Sequence, residues 1–188
     1  VWRKLYSVMS APAVDLQQDF FTIFSLPRSF LLDNAALDQR YRELQSQVHP
    51  DKFSHLSDAE KRLSMQWATR VNEGYQTLRD PLKRGRYLLT LHGVDTQEEN
   101  NTAMPMDFLM QQMEWREGLQ DAIAAKDIDA LDVLADTARN ETRNLQQQLA
   151  EQLDTTHEFV AAAGTVRKLR FLEKLAEEIA DAYDELDS

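Results

Sequence analysis

Apolar residues along this chain recur every three or four positions, in one stretch after another. Leu37, Tyr41, Leu44 and Val48 fall at i, i+4, i+7 and i+11. At about 100° per residue they share one narrow stripe, which predicts an amphipathic helix with Arg42, Gln39 and Ser46 opposite and Arg40 on a shoulder. Asp33 or Asn34 is suited to cap its start. Pro50 stops it, because the residue before a proline is pushed out of the α region. A second stripe, Leu63, Trp67, Val71, Tyr75 and Leu78, predicts another helix, capped by Ser57 or Asp58. A short, proline-stiffened loop between them makes the two an antiparallel hairpin. Upstream, Phe20, Phe21, Ile23, Phe24 and Leu26 end at Pro27 and form a short buried helix or, from so few residues, a strand. Downstream, Pro81 sits well at the first turn of a short helix carrying Leu82, Tyr87, Leu88, Leu89 and Leu91 and ending at Gly93.

Residues 94–105 are polar and unpatterned, and read as a linker. Beyond them come three long helical patterns, at about 106–125, 127–153 and 157–187, with glycine only at Gly118 and Gly164 and no proline after Pro105. Long helices with short connections predict a three-helix bundle. Residues 1–18 read as an N-terminal extension, the first eight set outside the fold. The fold class is therefore all-α, in two helical domains.

The first bundle helix has more apolar positions than one buried face needs. Phe108, Trp115, Leu119 and Ala122 cluster within about 60° and form the natural core stripe. Leu109, Met113 and Met110 fall elsewhere, at about 0°, 40° and 100° from Leu109, beside Glu114, Glu117 and Asp121. That group is either buried by a wide core or left exposed as a partner surface edged by carboxylates, for which flexible methionine is suited. In the last helix Leu169, Leu172, Leu175, Ala176, Ile179, Tyr183 and Leu186 define the core stripe, and Phe171 lies at its margin beside Arg167, Arg170 and Lys174.

Composition narrows the function. The 188 residues carry 21 Lys and Arg against 32 Asp and Glu, a net charge of -11, which disfavours nucleic-acid binding. No cysteine is present, so disulfides and thiolate metal sites are excluded. No apolar run approaches the roughly 18 residues of a membrane span, and a cytoplasmic location is expected.

The hairpin loop holds His49-Pro50-Asp51. Ser46 and Ser54 are near, but no nucleophile elbow or glycine-rich oxyanion loop accompanies them. His49, Asp51 and His55 match no established metal-ligand spacing. No catalytic residue, metal site or cofactor is expected; the loop is either an ordinary turn or a docking element. In its frame the second reading gains weight. The segments DFFTIFSLP (19–27), LDQRYRELQSQVHPDKF (37–53) and VNEGYQTLRDPLKRGRYLL (71–89) resemble the J domain, which activates the ATPase of DnaK-class chaperones. The resemblance implies a J domain over 19–93. It implies that His49, Pro50, Asp51 and Lys52 engage the chaperone, with Arg40 and Arg42 adding positive charge. Gln39, Gln45 and Gln47 make this second helix less basic than in many J domains, so long-range steering is weaker. Tyr41, Leu44, Trp67 and Tyr75 are expected in the core.

FLMQQMEWREGL (108–119) and TVRKLRFLEKL (165–175), behind a J domain and linker, are similar to the HscB family, J-type co-chaperones of iron–sulfur cluster assembly. That resemblance implies that the bundle, 106–188, binds an IscU-type scaffold through Leu109, Met110, Met113, Glu114, Glu117 and Phe171, with Asp121 at the edge of the match. It implies an HscA-type chaperone ATPase as the second partner. The alternatives are a general J-domain co-chaperone for unfolded clients, and a helical interaction protein without chaperone activity.

Overall fold

The structure is a computed structural model that describes residues 17–47, 57–96 and 104–186. Within them every regular element is helical: α1 (Phe20–Ile23), α2 (Asn34–Gln47), α3 (Asp58–Arg79), α4 (Pro81–Leu91), α5 (Met106–Ala125), α6 (Ile128–Ala150), a π-helical turn (Glu151–Thr155) and α7 (Phe159–Leu186). The chain divides into two compact units. One contains α1, α2 and α3; the other contains Ser29–Leu31 and everything from Pro81 onward.

In the first unit both α1 and α2 pack on α3. Asp19 caps α1: its carboxylate accepts from the Thr22 amide at 3.1 Å and from Arg28 at 2.7 Å. Burial pushes the Asp19 carboxyl up, but the hydrogen bonds from Arg28 and Thr22 outweigh it and hold the group below its usual range. Asp33, of the two candidate caps, starts α2 by accepting from the Ala35 and Ala36 amides. Ser57 and Glu60 form a reciprocal capping box at α3, an arrangement that contributes about 1 kcal/mol.

The α2–α3 seam is closed at one end by fully buried Leu37, Val71 and Leu78. Tyr41, Leu44, Trp67 and Tyr75, expected as core, are half-buried. The two tyrosines stack, with ring centroids 4.0 Å apart, and bond their hydroxyls to polar side chains. Tyr41 donates to Asn72 at 2.9 Å and Tyr75 to Asp38 at 2.9 Å. A tyrosine meets both needs, burying its ring and keeping its polar tip bonded. Leu63 departs from the expected stripe and is exposed. Gly74 lets α1 approach α3: a Cβ there would lie 2.8 Å from the Phe20 ring.

In the second unit α6 and α7 form the main antiparallel pair, with α5 against both and α4 against α7. The sequence pattern attached the α4 segment to residues 19–93; by its contacts this helix clusters with the bundle. Its buried face, Leu82, Gly85, Leu88 and Leu89, supplies the reason. Gly85 brings α4 within reach of Leu149, Phe30 and Val166. Gly93 ends the helix region in the left-handed conformation, at φ 72°. Asp154, in the π turn, holds the Ser29–Leu31 segment. Its carboxylate accepts from the Ser29 hydroxyl at 2.7 Å, the Phe30 amide at 2.7 Å and the Leu31 amide at 2.9 Å. In α7, Ala176 is exposed and Tyr183 and Leu186 are half-buried, against the expected stripe. Ala182 is buried in their place, and Ala162, Ala163 and Val166 extend the core toward the helix start.

Candidate functional site

His49, Pro50, Asp51 and Lys52 lie outside the described residues, as does Val48. Of the residues expected to face a chaperone, the structure describes those on α2. Arg40 and Arg42 are both exposed, away from the seam that Leu37 and Tyr41 make with α3. Arg40 pairs with Glu43 at 3.1 Å. Hydrogen bonds from Gln39 and then Arg40 hold the Glu43 carboxyl below its usual range. The pair offsets part of the positive charge, leaving Arg42 the more available cation on this helix.

The second surface begins with α5. Phe108, Trp115, Leu119 and Ala122 are buried, as the angular argument requires. Met110 is 59% exposed and Met113 71% exposed, and Leu109 is half-buried. Glu114, Glu117 and Asp121 stand exposed beside them. The wide-core alternative therefore fails: α6 and α7 cover one stripe of α5 and leave the other open. An exposed apolar ridge edged by charge is what a protein-docking surface presents.

Phe171 belongs to the same surface. It is half-buried on α7, stacked on Trp115 and edge-on to Phe108, with centroids 6.0 and 5.9 Å away. Its inner face is thus fixed by aromatic packing, while the ring lines an open groove of about 1270 Å³ together with Leu109 and Met113. The structure brings Leu109, Met113 and Phe171 together along this groove; Met110, Glu114 and Glu117 lie on the ridge's other flank.

Sequence reasoning missed two features. Met106, 73% exposed, extends the ridge and lines the groove. Its position about 60° from Leu109 on the helical wheel was a usable signal. The groove's far wall comes from Lys83 and Arg86 of α4. No sequence signal ties that helix to α7; only folding joins them. Among the described residues no group of three or more His, Cys, Asp or Glu could hold a metal ion. No helix among them is long and apolar enough to cross a membrane.

Comparison with known proteins agrees with the all-helical fold. Residues 104–180 match the family model described as the HSCB C-terminal oligomerisation domain. The co-chaperone protein HscB homolog of Aromatoleum aromaticum is 53% identical over 176 residues, covering 94% of this chain and 99% of the relative. The Vibrio cholerae chaperone HscB structure is 37% identical, with a TM-score of 0.80 over 90% of this chain and 99% of that one. The crystal structure of human co-chaperone HscB is 33% identical, with a TM-score of 0.83 over 87% of this chain and 81% of that one. Identity this high over nearly the whole length of a relative leaves one conclusion: the chain belongs to the HscB family of co-chaperones.

Proposed function

We propose that this co-chaperone is a non-enzymatic adaptor of iron–sulfur cluster biogenesis, working in the cytoplasm. The second unit binds an IscU-type scaffold through Leu109, Met110, Met113, Glu114, Glu117 and Phe171. His49, Pro50, Asp51 and Lys52, with Arg40 and Arg42, engage an HscA-type chaperone and stimulate its ATPase. In sequence the J domain spans 19–93, its last helix, α4, packing within the second unit, and 94–105 follows it as the linker. The observation that carries the reading is the split face of α5, where Phe108, Trp115, Leu119 and Ala122 are buried while Met110 and Met113 are open. An apolar stripe costs solubility when exposed, and partner docking accounts for it.

The mechanism follows from linkage. One chain carrying two binding surfaces raises the effective concentration of scaffold beside the chaperone. The His49-Pro50-Asp51 loop accelerates hydrolysis only by binding one nucleotide state of the chaperone better than the other. Capture of the scaffold in the ADP state then promotes release of its cluster. ATP belongs to the chaperone, since this chain has no glycine-rich phosphate loop.

Two substitutions test the two halves. His49→Gln abolishes stimulation of the chaperone's ATPase with scaffold binding and circular dichroism unchanged. The triple change Leu109→Ala, Met110→Ala, Phe171→Ala abolishes scaffold binding in calorimetry. Scaffold binding that survives the triple change overturns the interface, and unaltered stimulation by His49→Gln overturns the loop's role.

A further inference from the structure

The groove beside the α5 ridge has the wrong sign for this protein. The chain carries 32 acidic against 21 basic side chains, yet the groove is lined by six cations, Lys83, Arg86, Arg116, Arg167, Arg170 and Lys174, against two carboxylates, Glu173 and Glu177. Several of these cations are held in place. Arg167 donates to the Thr96 carbonyl at 2.9 Å. Arg170 pairs with Glu173. The Arg116 guanidinium lies 5.8 Å from the centre of the Phe171 ring and 3.9 Å from Glu178. The other flank of the ridge carries Glu114, Glu117 and Asp121, all exposed. The apolar strip of Met106, Leu109 and Met113 therefore separates a positive side from a negative side.

We infer that the groove receives an acidic segment of the docked protein partner, its carboxylates against the cationic wall and its apolar side chains on the strip and Phe171. The identity of that partner rests on the scaffold reading above. The charge preference rests on the groove alone. Complementary charge on both flanks fixes the partner's orientation, because a reversed approach sets carboxylate against carboxylate and cation against cation. Four of the six methionines, Met104, Met106, Met110 and Met113, stand in or beside the site, and Met65 lies in the other unit.

These methyl groups give the test. Carbon-13 methyl spectra of the full chain are recorded with two amphipathic helical peptides sharing one leucine stripe, their polar faces glutamate in one and lysine in the other. The glutamate peptide shifts Met104, Met106 and Met113 and leaves Met65 unmoved; the lysine peptide leaves Met104 and Met106 unmoved. Lys83→Glu with Lys174→Glu, both at exposed positions, weakens the glutamate peptide about tenfold at low salt. Equal shifts with both peptides overturn the inference, as does indifference to the two reversals. Concentration-dependent shifts of the same methyls without peptide also overturn it, assigning the groove to a second copy of the chain. With an IscU-type scaffold the two readings separate. Loss of binding by the triple alanine variant but not by the lysine reversals sinks the groove inference alone. Scaffold binding that survives the triple variant sinks the scaffold reading and leaves the peptide preference standing.

Discussion

Phe171 stacks on Trp115 with centroids 6.0 Å apart and planes within 16°. One residue is buried core and the other lines the groove, so the proposed docking surface rests directly on the core. The rings fix each other, so the groove presents a pre-set aromatic wall rather than a mobile side chain.

That coupling separates stability from binding. Phe171→Ala lowers unfolding free energy by about 1–3 kcal/mol, because stacking and part-buried area are both lost. Met110→Ala and Met113→Ala, at exposed positions, change it by less than about 0.5 kcal/mol. Each weakens scaffold binding about 5–30-fold, the range of a moderate contact residue. Urea melts paired with calorimetric titration distinguish the two classes.

Asp154 accepts three hydrogen bonds from Ser29, Phe30 and Leu31. Asp154→Ala leaves the amide of buried Phe30 without its acceptor and costs about 2–3 kcal/mol. Asp154→Asn keeps one acceptor oxygen and loses about half as much. A shift of the urea midpoint with an unchanged slope is the expected signature.

The helical glycines predict opposite outcomes. Gly74→Ala forces a methyl to 2.8 Å from the Phe20 ring and 3.0 Å from that of Phe24, both buried, and destabilises by about 1–3 kcal/mol. Gly118→Ala in α5 meets nothing within 4 Å and stabilises by about 1 kcal/mol through helix propensity. Thermal melts of the two variants move in opposite directions.

Tyr183 on α7 donates to Asp132 on α6 at 2.5 Å. That hydrogen bond, with burial and the Asp132 and Asp136 charges behind it, raises the phenol from 10.0 to about 12. A folded-state value above the unfolded one means that the contribution is complete below pH about 10. It is lost as pH rises from there toward 12. Tyr183→Phe removes this part of the alkaline decline in stability. In an absorbance titration, the late phenolate transition disappears with it.

Local chemistry wrote much of the fold into the sequence. The caps Asp33 and Ser57, the first-turn Pro81 and the 3.6-residue periodicity depend on neighbours along the chain, so the helices and their bounds were readable. The split face of α5 was readable too, because Phe108, Trp115, Leu119 and Ala122 already account for one stripe. Whether the other stripe was covered was not readable. Burial is a property of what packs from elsewhere, and the exposure of Met110 and Met113 had to come from the fold.

The groove shows the same division more sharply. Lys83 and Arg86 stand about ninety residues before Lys174, and nothing local links them. They share a wall because Leu82, Leu88 and Leu89 bury α4 in the second unit, where it packs on α7. The sequence by itself determined the helices, the acidic balance and the identity of the loop residues, since each follows from nearest-neighbour geometry or simple counting. Only the tertiary structure decided that six cations of an acidic chain face one apolar strip. Electrostatic potential is a sum over distances in space, and the sequence order does not contain those distances.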